Sequence, residues 1–294
     1  MTLFGLPLAL IYSQLLLGLI NGAFYAVLSL GLSVIFGTLG IVNFVHGVLF
    51  MMGAFFAWML LQWGGIGYWP ALIISPLLVG LFGMVLERVV ISRTYKQDHI
   101  YAFLLTFGLW LMIEALFRNG FGAAGHPYPI PNLLTGGTNV GFMFLPHYRV
   151  WIVIASCLVC FATWYAIEKT TLGAKLRAAT ENGPIVQALG VNVPRLMTLT
   201  YAGGAALAGL AGVLAAPIYS VSPQMGNNLV ILVFAVVVIG GLGSIKGSII
   251  AGFSLGILEG LTKVFYPVAS STVIFLIMAI VLIFRSSKFA SRKD

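Results

Sequence analysis

Few residues in this chain could do chemistry. Of 294 residues, seven are acidic, four are histidine and two are cysteine. No GxxxxGK[ST] loop is present to cradle a nucleotide phosphate, and neither HExxH nor GxSxG occurs. His126 and His147 stand isolated in a proline-rich stretch, so no metal site is expected. Cys157 and Cys160 form a CxxC inside an apolar run. Redox work needs an exposed, thiolate-prone pair, so these read as small packing residues. Glu114 and Glu259 lie near the ends of apolar runs. An intramembrane acid marks a solute pathway by default, but water and headgroups near a span end serve a structural acid equally well. The expectation is a protein that is not an enzyme.

The more informative polar groups interrupt apolar sequence without adding charge. Residues 35–47, IFGTLGIVNFVHG, hold three glycines with Asn43 and His46. Unwound backbone at membrane depth is tolerated only where it lines a cavity or is buried in protein. Its amides and carbonyls, with Asn43 and His46, would then meet a polar solute. The alternative is a buried helix break whose polar groups satisfy one another. Residues 33–43, SVIFGTLGIVN, are echoed at 236–246, VVVIGGLGSIK, where Val34, Gly37, Leu39 and Gly40 align with Val237, Gly240, Leu242 and Gly243. Paired glycine-broken segments point to a repeat with a site between its halves; chance similarity in Gly/Val-rich sequence explains the echo as well. The candidate passage residues are Asn21, Tyr25, Asn43, His46, Gly240 and Gly243.

Residues are 60% hydrophobic and 7% charged, with mean hydropathy +1.06. Soluble domains carry about 25% charged residues. Apolar runs of roughly 20 residues recur throughout, which predicts an all-α polytopic membrane protein with about eight or nine transmembrane helices. Runs fall near 8–36, 48–62, 70–91, 100–117, 150–167, 196–217, 228–243, 248–265 and 270–284. The start carries no basic residue, and 8–36 reads as a retained span rather than a cleaved leader. The +8 net charge reports orientation, not nucleic-acid binding, because Lys and Arg collect in cytoplasmic loops. Arg88, Arg93 and Lys96 mark one such loop, 168–195 is another, and the tail RSSKFASRKD a third. The proline-rich segment 118–149 is expected outside. Nine crossings put the N-terminus outside and make the echo parallel; if 37–62 only dips into the membrane, eight crossings make it inverted.

The loop 168–195 should hold a short helix. Asn182 or Gly183 caps it, Pro184 suits its first turn, and Gly190 ends it. Ile185, Val186, Ala188 and Leu189 give it an apolar face. An apolar helix displayed on a loop fits a groove in a partner, or lies flat among headgroups. Beyond it, Gly204, Ala208 and Gly212, and Ala205 and Gly209, are four apart and permit close helix approach.

This stretch resembles the coupling loop of ABC-importer permeases of the branched-chain amino acid family, matching at Leu172–Gly173, Arg177–Ala178, Ala188, Gly190–Val191 and Gly203–Gly212. Tyr201 stands at that pattern's Phe. Ala23–Gly53, with its NFVHG core, and Val236–Gly256 resemble two further blocks, so the resemblance covers nearly the whole chain in order. Departures occur at Val48, at Lys246 and after Arg285. The resemblance implies one transmembrane permease domain over 1–294, in the bacterial inner membrane with its C-terminus cytoplasmic. It implies two ABC ATPase subunits, a second homologous permease, an extracytoplasmic solute-binding protein and a surrounding lipid bilayer. This chain would carry no cofactor, ATP being used by the partners. Gly173, Arg177, Glu181, Asn182, Gly183, Pro184, Ala188 and Gly190 would form the ATPase-coupling surface. The solute would be a small polar molecule, foremost a branched-chain amino acid. A passive channel for urea or another small neutral solute is the alternative, since it too would use glycine breaks.

Overall fold

The computed structural model describes residues 2–3, 6–95, 97–270 and 272–290. Lys96 and residues 291–294 of the basic tail lie outside the described residues. Ten α-helices occur among the described residues: α1 Leu8–Leu39, α2 Val45–Gly64, α3 Tyr68–Val89, α4 His99–Phe121, α5 His147–Glu168, α6 Thr171–Ala188, α7 Val193–Ala215, α8 Asn227–Gly240, α9 Ile245–Phe265 and α10 Thr272–Ala290. Among the described residues, strand is confined to two small antiparallel pairs, Thr2–Leu3 with Leu6–Pro7 and Gly137–Asn139 with Phe144–Pro146. Seven helices, α1 to α5, α7 and α9, are long and apolar enough to cross a membrane. The protein is an all-α, multi-pass membrane protein.

The helices run between two ends. One carries the hairpin 137–146: Ser13 of α1 donates to the Phe142 carbonyl there. The other carries α6, whose Leu176, Arg177 and Thr180 share a cleft with Gly37 and Thr38 at the end of α1. α2 does not dip and return. It spans 20 residues, and its Phe55 and Trp58 pack against Phe121 and His126 at the hairpin end.

α7 is the hub, because small side chains let three helices reach its axis. Gly204 faces the Gly31 carbonyl of α1, Gly212 faces the Phe50 carbonyl of α2, and Gly209 faces Val79 of α3. A Cβ at Gly212 would sit 2.0 Å from that Phe50 oxygen, so no larger residue fits without moving a helix. α1 and α9 lie antiparallel on the same principle: a Cβ at Gly256 would meet the Gly18 carbonyl at 2.4 Å. Close backbone approach of this kind replaces the hydrophobic drive that lipid cannot supply.

One expected span is different. In place of the span expected at 228–243 stands only a 14-residue helix, α8. The stretch before it, 216–226, comes from the hairpin end, where Val221 bridges to His126. It then descends until Gly226 meets the Gly47 backbone at the start of α2. The hydrophobic run concealed this, because 216–226 is itself largely apolar and is shielded by protein. The aligned glycines of the echo, Gly40 and Gly243, both adopt the left-handed conformation, at φ 66° and 80°. Gly40 follows α1 and Gly243 follows α8, and both helices run toward the α6 end, so the echoed segments share one sense.

Candidate functional site

α6 is two helices joined at Asn182, whose backbone leaves the helical region at φ −151° and ψ 83°. The segment Thr171–Glu181, read from sequence as loop, is helical. Asn182 rather than Gly183 caps the second part, its side-chain oxygen accepting from the Ile185 N–H at 3.2 Å. Gly190 ends it in the left-handed conformation, φ 85°. One face of this helix turns inward: Val186 packs on Ala179 and Val193. The other is displayed, with Pro184, Ile185, Ala188 and Leu189 exposed and Leu189 at 78%.

The base of α6 is bolted to α5. Arg177 donates to the Ile167 carbonyl at 2.9 Å. Gly173 is buried there because a Cβ would fall 1.6 Å from that same oxygen. Glu181 is exposed. A cleft of about 1170 Å³ lies between the α6 kink, the end of α3 and the start of α7. Glu87 lines it, buried, and accepts the Tyr95 hydroxyl. Burial first, then the bond to Glu87, holds the Tyr95 phenol well above its ordinary pKa.

The six passage candidates do not converge. Four of them touch or lie on α1 at successive levels spanning about 24 Å by helical rise: Asn21 and Tyr25 nearest the hairpin end, His46 against Leu28 and Gly31, and Gly243 against Gly37. Gly240 packs on Gly247 beside Gly243, at the α6 end. Tyr25 donates to Glu259 at 2.6 Å, and Lys263 pairs with the same carboxylate at 2.6 Å. Glu114 is likewise paired, with Arg118 at 3.4 Å.

Asn43 and His46 turn into the protein. Asn43 Nδ2 donates to Tyr201 Oη at 3.0 Å, a hydroxyl that the Phe of the resembled pattern would lack. His46 Nε2 lies 2.8 Å from the Leu28 carbonyl, so that nitrogen carries the proton. Both residues are buried, at 1% and 0% exposure. Phe44, between them, points the other way, packing on Phe103, Phe107 and Trp110 of α4 and on Phe234 of α8.

α4 seals both non-helical segments. Thr106 donates to the Val42 carbonyl at 3.2 Å, and Trp110 Nε1 donates to Asn227 Oδ1 at 3.3 Å. These positions lie about 10 and 16 Å along α4 by helical rise, well inside the membrane. Sequence reasoning missed this role for α4. Its signal was the spacing Phe103, Phe107, Trp110, which sets aromatics on one helix face, hidden because aromatics also fill ordinary spans.

A family model described as "Branched-chain amino acid transport system / permease component" matches residues 14–283. The permease protein BraD of Pseudomonas aeruginosa, from a high-affinity branched-chain amino acid transport system, is 28% identical, with 96% of each chain covered. LivH of Escherichia coli K12, from a system so described, is 27% identical over the same shares. LivM of that organism is 27% identical over 82% of this chain and 62% of its own. With its helices in membrane-spanning order and the motif blocks in register, the chain belongs to the family of branched-chain amino acid transport system permease components.

Proposed function

We propose that the chain is the membrane permease subunit of an ABC importer and passes a small polar solute, foremost a branched-chain amino acid. The carrying observation is the exposed apolar ridge of Ile185, Ala188 and Leu189, displayed on a capped helix whose Val186 packs on Val193 of α7, while the first half of α6 is tied to α5 through Arg177. Such a ridge fits a groove in a partner, and a chain without a phosphate-binding loop needs that partner to use ATP. Two ATPase subunits dock on α6, one for each permease of a pair, the second permease being this one's homologue. A solute-binding protein delivers to the hairpin end.

Arg88, Arg93, Lys169, Lys175, Arg177, Arg195 and Lys246 gather at the α6 end, against Arg118, Arg149 and Lys263 at the other. Basic residues stay on the cytoplasmic side, so the α6 end and the C-terminus face the cytoplasm of a bacterial inner membrane. The ATPases close, α6 moves as a lever, and the helices bolted to it rock around the passage.

The test is Ile185→Asp with Leu189→Asp. The doubly substituted chain should insert normally, no longer co-purify with the ATPase pair, and lose ATP-driven leucine uptake. Retained uptake, or flux of urea independent of ATP in the wild type, would instead favour a channel.

A further inference from the structure

We propose that Phe44, Phe103, Phe107, Trp110 and Phe234 form the wall that the solute's apolar side chain slides along, and that this wall sets which side chains are carried. The inference rests on the importer reading above and names the part of it that selects.

Two non-helical segments, 40–44 and 216–226, reach the membrane interior and meet where Gly47 touches Gly226. Unwound backbone at that depth is stable only inside protein or beside a water-filled cavity. Their inner sides turn into protein: Asn43 Nδ2 donates to Tyr201 and His46 Nε2 to the Leu28 carbonyl, while Asn43 Oδ1 and His46 Nδ1 are buried without a partner. The remaining side is the aromatic cluster. Phe44 stacks on Phe234 at 6.3 Å and on Trp110 at 6.2 Å, and meets Phe103 edge-on at 5.1 Å.

This cluster is not core. Phe103 is 40% exposed and Phe107 37%, while Asn43, Val45 and Val233 immediately behind are buried. It is not an ordinary lipid face either. Of the other exposed positions of α4, Leu104, Met112 and Leu116 are aliphatic and lie on other faces of the helix, as does Tyr101 near the α6 end, while Leu111 flanks the aromatic stripe. The aromatics recur at i, i+4 and i+7 on the face that also donates Thr106 and Trp110 hydrogen bonds to the two breaks.

An aromatic wall suits a branched aliphatic side chain. It offers broad dispersion contact without a hydrogen-bond partner to release, which permits passage rather than tight retention. The second permease would supply the opposite wall.

The experiment uses the complete transporter in vesicles of defined lipid. ATP-driven turnover of leucine and of alanine is measured at saturating delivery, so that the binding protein's preference drops out. Phe107→Ala removes a part-exposed ring that packs within the cluster on Phe44, Phe103 and Trp110. Phe44→Leu keeps an apolar group at the break. Each should lower the leucine-to-alanine turnover ratio about tenfold, the discrimination available from small changes of apolar contact. ATPase co-purification should stay as in the wild type. A ratio unchanged in both variants overturns the proposal, as does an equal loss for both solutes in Phe107→Ala. Wild-type vesicles that carry neither solute overturn the importer reading itself.

Discussion

The Arg177 guanidinium donates to the main-chain oxygen of Ile167 across 2.9 Å, joining the base of α6 to the last turn of α5. The bond satisfies one of the carbonyls that a helix end leaves open, with a positive charge where the helix dipole favours it. It joins α6 directly to a span.

Arg177→Ala should leave the chain folded but loosen that joint. ATPase association should persist while leucine uptake per ATP hydrolysed falls several-fold. Arg177→Lys should restore part of the coupling, because a lysine reaches the same oxygen with one donor instead of a planar fork. Measuring uptake and ATP hydrolysis in the same vesicles checks this.

Gly173→Ala is expected to be worse than Arg177→Ala. The new methyl would fall 1.6 Å from the Ile167 oxygen, so α6 must move away from α5. We expect a loss of about 3 kcal/mol of local stability, the upper end for overpacking, read as increased protease cleavage between 168 and 195.

Tyr201→Phe removes the acceptor of the Asn43 amide, which is buried. The stranded donor should cost about 1–3 kcal/mol, seen as a lower unfolding temperature of the purified protein. Adding Asn43→Leu should recover much of the loss, since removing both partners is nearly neutral. If Asn43 instead lines the passage directly, the double variant would fold well and still lose uptake.

Tyr95→Phe should destabilise by about 1–3 kcal/mol, because the buried Glu87 carboxyl loses a hydrogen-bond donor. The pH dependence follows from the raised phenol. A group whose folded pKa is raised contributes fully below its unfolded pKa, about 10 for tyrosine, and weakens only above it. The phenol itself therefore adds no pH dependence to the difference between wild type and Tyr95→Phe below that point.

Much of the fold was legible because a membrane imposes one rule: backbone polar groups must be satisfied within a helix, so length and apolarity mark the spans. The spans at 100–117 and 150–167 appear as α4 and α5, longer by a turn or less at each end. The α6 caps were legible too, since Asn182 and Gly190 act on their own neighbours. The half-length of α8 was not, because Gly226 sits at depth only by resting on Gly47, nearly 180 residues away in sequence. The site was read less well. Sequence singled out Asn43 and His46 as polar groups in apolar surroundings, but their direction depends on Tyr201 and Leu28.

The sequence alone therefore determined the class, the family, the order of the spans and the capped helix offered to a partner. These follow from local composition and from interactions between near neighbours. Only the tertiary structure decided which side of the Asn43–His46 break faces inward, that α4 closes both breaks, and that the outward side is aromatic. Those outcomes depend on which helices small residues allow to approach, and contacts across long separations leave no periodic trace in the chain.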